Sequence, residues 1–200
     1  MLCHHFAAGR CQSCGWLGLP YTTQLADKQR QVEGLLDSAG VLDWRPAVAS
    51  AQSGFRNKAK MVVGGTVADP TLGILDVAAG GVDLRDCPLY TAGIRQALPL
   101  LADFVRTAAL TPYDVPSRRG ELKHLLVTES PDAELMVRFV LRSQESVARI
   151  RKHLPALRAA VAPLAVASVN LQPEHKAVIE GDRELLLTEQ ETLTMRVAGL

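Results

Sequence analysis

Three cysteines near the start of the chain, spaced Cys3-x7-Cys11-x2-Cys14, and a fourth far along it at Cys87-Pro88 constrain this sequence more than any other feature. A C-x-x-C pair on a tight turn aims two thiolates at one centre, and two more from separate segments complete four ligands. Four is the number an iron–sulfur cluster takes, and also the number a tetrahedral zinc site takes. Zinc sites of four thiolates usually use two C-x2–4-C knuckles, whereas here there is one knuckle and a first ligand that stands alone. Spacing leaves cluster and zinc both open, with unligated thiols as a third reading. His4 and His5 follow the first cysteine and could replace a ligand, although N-terminal histidines are more often just solvated.

Two structural disulfides fit the sequence poorly. Met1 to Phe6 lacks the basic stretch and apolar run of a signal peptide, so a cytoplasmic location is expected, where thiols stay reduced. No apolar run approaches the roughly 20 residues of a membrane span, so no membrane partner is expected. A formal net charge of +1 argues neither for nor against a polyanionic partner. Any nucleic-acid case must rest on local clusters of Lys and Arg.

Along the chain, residues 1–19 read as an irregular, ligand-presenting loop, and residues 22–39 as a helix with Leu25, Val32, Leu35 and Leu36 on one face. Residues 54–68 read as a strand with a basic leading end, and 72–77 as its hairpin partner across Asp69-Pro70. A turn-rich stretch from Gly80 to Pro88 follows, then a helix over 92–109. Strands are expected at 122–128 and 135–141, joined by a turn at Pro131-Asp132, then a helix that Ser143 could cap and a strand at 166–171. Residues 177–187 read as a hairpin turning at Gly181-Asp182. The pattern predicts an α+β fold. A cysteine-bearing loop region with helix and basic hairpin (1–90), a candidate iron–sulfur region, is expected to pack on a mixed or antiparallel central sheet with helices (91–200), a candidate RNA-binding region.

Two basic segments stand out. On a strand, Arg56, Lys58 and Lys60 share one face and make a short row of charge suited to phosphates, while Phe55 points the other way into the core. Arg118, Arg119 and Lys123 precede and enter a second strand, with Arg138 and Arg142 on its neighbour. The competing reading is a solvated sheet edge whose charges deter aggregation.

Several segments together resemble a known family. They are Gly9-Arg-Cys-Gln-Ser-Cys-Gly-Trp16, Gly54-Phe-Arg-Asn-Lys-Ala-Lys-Met-Val-Val63, Asp86-Cys-Pro-Leu-Tyr90, Leu110-Thr-Pro-Tyr113, Arg119-Gly-Glu-Leu-Lys123, Leu125-Leu-Val-Thr-Glu-Ser130 and Arg138-Phe-Val-Leu-Arg-Ser143. In order, from Cys3 to about Glu189, they resemble the bacterial RNA 5-methyluridine methyltransferases, and most of all the shorter members that act on 23S rRNA. The resemblance implies a [4Fe–4S] cluster on Cys3, Cys11, Cys14 and Cys87. It further implies 23S rRNA as partner, a monomer, and S-adenosylmethionine as methyl donor. In that family a cysteine adds to C6 of a flipped-out uracil, C5 takes the methyl group, and a base removes the C5 proton.

The chain departs from the family at the nucleophile, because its four cysteines are all used by the cluster pattern. Nor do Gly64-Gly65 and Gly80-Gly81 open helices, so neither offers a glycine-rich turn for the methyl donor. The family's catalytic half would begin close to where this sequence ends. The expectation is therefore the N-terminal part of a longer enzyme, without the Rossmann-like methyltransferase domain and inactive alone. A stand-alone metal-stabilised RNA-binding module is the alternative.

Overall fold

The computed structural model describes residues 1–161 and 163–197. In chain order the elements are α1 (His4–Ala7), α2 (Tyr21–Leu35), β1 (Lys58–Gly65), β2 (Pro70–Leu75), β3 (Gly81–Asp83), α3 (Ala92–Thr107), β4 (Leu122–Glu129), β5 (Leu135–Leu141), α4 (Val147–Ala160), β6 (Leu164–Leu171) and β7 (Arg183–Leu186). All seven strands join one sheet in the order β3-β2-β1-β4-β5-β6-β7. Every neighbouring pair is antiparallel except β5 and β6, which α4 connects as a crossover.

The period-2 pattern decides which face is buried. Ala59, Met61 and Val63 point inward from β1, and the register carries that row through Leu125, Phe139 and Val169. Helix α3 lays Ile94, Leu98, Leu101 and Val105 on this face, and the rings of Phe104 and Phe139 meet at 5.4 Å. Helix α4 packs beside it through Ile150, Leu154 and Leu157. The opposite face, carrying Lys58 and Lys60, has no helix over it among the described residues; the segment after β6 runs along part of it. Glu129 at the end of β4 serves as the cap of α3. Its carboxylate accepts the Thr91 hydroxyl and the Ile94 N–H, the latter at 3.2 Å.

The glycine pairs have packing roles. Gly64 of β1 and Gly81 of β3 approach closely, and a Cβ on Gly64 would stand 2.9 Å from the Gly81 Cα. Without side chains there, the two backbones can come together.

Several expectations are corrected here. The cluster-bearing part does not sit as a loop region on a separate central sheet: β1, β2 and β3 extend the same sheet as β4 to β7, joined through Lys58–Val62 and His124–Thr128. β3 lies in the stretch expected to be turns alone. Helix α2 stops at Leu35, short of the expected 39, with a 3-10 turn over Asp37–Ala39 beyond it; it buries none of its residues, and Leu35 is 76% exposed. Ser146 precedes α4; Ser143 instead gives its hydroxyl and N–H to Glu121. Residues 173–181 form no strand, and β7 pairs with β6. No helix among the described residues is long and apolar enough to cross a membrane.

Candidate cluster site and basic face

The four cysteines come from three places: the start of α1, the loop before α2, and the turn before α3. They share one electrostatic neighbourhood. Burial, then the charges of Cys11 and Cys3, push the Cys14 thiol up, and Arg56 opposes this. Burial likewise pushes Cys87 up; a backbone N–H donated by Leu89 opposes it, and the charges of Cys14 and Cys3 add to it. All four are partly buried and none is in a disulfide.

Their spacing bears on what they could hold. Four thiolates on one zinc at about 2.3 Å each would lie roughly 3.8 Å apart. Among the described residues, the three potential ligand atoms within 4.8 Å of one another are those of His4, His5 and Asp86. Four free thiols are a donor set that fits an iron–sulfur cluster, and a four-thiolate zinc uses the same donors.

His4 and His5 have a different place from the one their position suggested. His5 is 6% exposed, and its Nε2 lies 2.6 Å from Asp86 Oδ1, while His4 Nε2 lies 3.2 Å from Asp86 Oδ2. The residues after Cys3 thereby grip the residue before Cys87. Nothing in the sequence pairs positions 5 and 86; the signal is only that each lies within two residues of a cysteine.

The cations sort into committed and uncommitted groups. Arg142 pairs with Glu121 at 2.9 Å, and Arg138 is held by Glu180 and Glu184. Lys123 is 7% exposed; its ammonium donates to Gln172 Oε1 at 3.1 Å and the Glu174 carbonyl at 2.6 Å, with the Tyr113 ring 4.8 Å away. Arg56, Lys58, Lys60, Arg118 and Arg119 are exposed and have no ion-pair partner among the described residues. Arg56 lies 6.0 Å from the Tyr90 ring, between the basic row and the cysteines. Phe55, expected in the core, is 50% exposed because β1 begins only at Lys58 and the strand period does not reach it. It lines a 510 Å³ groove with Cys14, Trp16, Tyr21, Lys28 and Arg56. Exposed aromatics beside cations are the side chains on which bases stack.

No protein-family model matches the chain. It is 50% identical, over its whole length and 53% of the relative's, to the 23S rRNA (uracil(747)-C(5))-methyltransferase RlmC of Edwardsiella ictaluri. The protein of the same name from Halothiobacillus neapolitanus is 48% identical over the same shares, and that of Yersinia pseudotuberculosis is 50% identical over 98% of this chain and 52% of the relative. The chain thus spans about half the length of the curated relatives it matches. In structure it resembles the Pyrococcus abyssi tRNA (uracil-54, C5)-methyltransferase solved with S-adenosyl-L-homocysteine. That match has a TM-score of 0.63 at 19% identity and covers 88% of this chain and 40% of the other. The expectation that the family's Rossmann-like methyltransferase domain is absent from residues 1–200 is corrected by this match, in which 88% of the chain shares the fold of a solved methyltransferase. The chain is thus about one half identical, along its full length, to half of proteins named as 23S rRNA (uracil(747)-C(5))-methyltransferases.

Proposed function

We propose that this chain is the cluster-binding, RNA-gripping part of an S-adenosylmethionine-dependent enzyme that forms 5-methyluridine in 23S rRNA, at the uracil its relatives are named for. The observation that carries the reading is the convergence of four thiols beside a row of uncommitted cations, with Arg56 adjoining both. Cys3, Cys11, Cys14 and Cys87 would hold a [4Fe–4S] cluster, which cross-links the N-terminal loop to the turn before α3. Residues 1–90 supply the cluster site and the basic strand β1, and 91–200 extend the RNA-binding sheet. Arg56, Lys58, Lys60, Arg118 and Arg119 are the phosphate contacts; the buried Lys123 supports the same face from within. The protein works in the cytoplasm as a monomer.

Adding a thiolate to C6 of uracil needs a cysteine outside the cluster. With all four thiols committed, residues 1–200 bind RNA and transfer no methyl group by themselves. The test is incubation with labelled S-adenosylmethionine and unmodified 23S rRNA. Retained RNA without label is expected; label in the RNA would overturn the assignment of all four cysteines to the cluster.

A further inference from the structure

The uncovered face of the sheet holds a feature that gripping phosphates does not use. Between β1, β4 and the segment after β6 lies a 440 Å³ cavity with apolar walls including Val62, Val115 and Ile179. That volume is within the range of about 300–1,000 Å³ typical of small-molecule sites. A β-bulge between Leu122 and His124 shapes it. Strand residues normally alternate faces, but here the consecutive side chains of Lys123 and His124 line the same cavity.

The polar groups in it are few and positioned. Tyr113 Oη lies 3.0 Å from His175 Nδ1, which fixes both rings at the wall. The His124 ring has no hydrogen bond among the described residues. Burial and the adjacent Lys123 charge hold it at a pKa of about 4, so near neutrality it offers one donor and one acceptor. The charge around the cavity is cationic: Lys60 stands at the mouth and continues the row from Arg56 and Lys58, while Glu174 is neutralised by Lys176. An apolar slot with an uncharged donor–acceptor edge and a cationic mouth matches a nucleobase on its phosphate backbone.

We propose that this cavity takes one base of single-stranded RNA, its edge bonded by His124 and its flanking phosphate held by Lys60. The inference rests on the RNA-binding reading above. Two probes keep the two separable: uridine 5′-monophosphate, followed through the His124 ring resonances, and a short single-stranded RNA compared with an abasic strand of equal length and charge. His124→Leu removes the hydrogen-bonding edge, and Val178→Trp fills the cavity from an exposed position that should not disturb folding.

The mononucleotide is expected to shift the His124 signals. Each variant is expected to bind the base-bearing RNA about tenfold more weakly and the abasic strand unchanged. RNA binding with unmoved His124 signals and no loss in either variant would overturn the cavity proposal alone, and would assign the slot to a protein segment. Failure of the wild-type chain to bind any RNA would overturn the RNA reading. The cavity assignment would then stand only if the mononucleotide still shifts His124, and would fall with it otherwise.

Discussion

His5 Nε2 lies 2.6 Å from Asp86 Oδ1, so the residues that flank Cys3 and Cys87 are clamped to each other without any metal. The clamp closes the long connection between the first and last cysteines and sets their separation before a cluster binds. A charge-assisted bond of this kind contributes about 1–2 kcal/mol. Asp86→Ala should therefore release the N-terminal loop while leaving the sheet folded. Limited trypsin cleavage after the exposed Arg10 should quicken by at least about fivefold, with unchanged circular dichroism. An unchanged cleavage rate would show that the clamp does not hold the loop.

Gly93 has a specific reason to lack a side chain. A Cβ there would stand 2.5 Å from Glu129 Oε1 and displace the carboxylate that caps α3. Gly93→Ala should cost about 1–2 kcal/mol despite alanine's better helix propensity, seen as a Tm several degrees lower. In a Glu129→Ala background, where the cap is already gone, the same change should be neutral or stabilising. The sign reversal is the informative result.

His124 makes stability depend on acidity. Burial holds its pKa at about 4 in the folded chain against 6.5 unfolded, so the unfolded chain binds the extra proton first. Its contribution is fully present above pH 6.5 and lost as pH falls towards 4, by up to about 3 kcal/mol. Urea titrations of wild type and His124→Leu should run parallel above about pH 6.5 and change their separation below it, with the variant losing less. Curves that stay parallel down to pH 4 would contradict the assignment.

The basic row predicts a salt signature. If Lys58 and Lys60 each neutralise one phosphate of single-stranded RNA, replacing either with Ala should reduce the slope of log affinity against log salt by about 0.7. Arg138→Ala, which removes a cation already paired with Glu180 and Glu184, should leave the slope unchanged.

What could be read in advance follows the physics of each element. Helix α3 and strand β1 announce themselves because each buries one face of a regular period, as Ile94, Leu98 and Leu101 do, whereas β4 and β6 are largely buried on both faces and read as apolar runs. β3 is three residues with a glycine, too short to carry a period, and depends on its register with Gly73–Leu75. Phe55 misled because strand alternation was extended past the strand's true start. Lys123 looked like surface because alternation hides a bulge. The pairing of His5 with Asp86 is a long-range contact that no local pattern encodes. The uncovered face and its cavity arise from β6 and the segment that follows it, and no single stretch of sequence contains them.

The central claim is that Cys3, Cys11, Cys14 and Cys87 hold one iron–sulfur cluster, and its most direct test is metal and sulfide analysis with an absorption spectrum of anaerobically purified protein. The account predicts a brown protein with broad absorption near ~400 nm and about four iron and four sulfide per chain, lost on replacing any one of the four cysteines with serine. A colourless protein carrying one zinc per chain would contradict it.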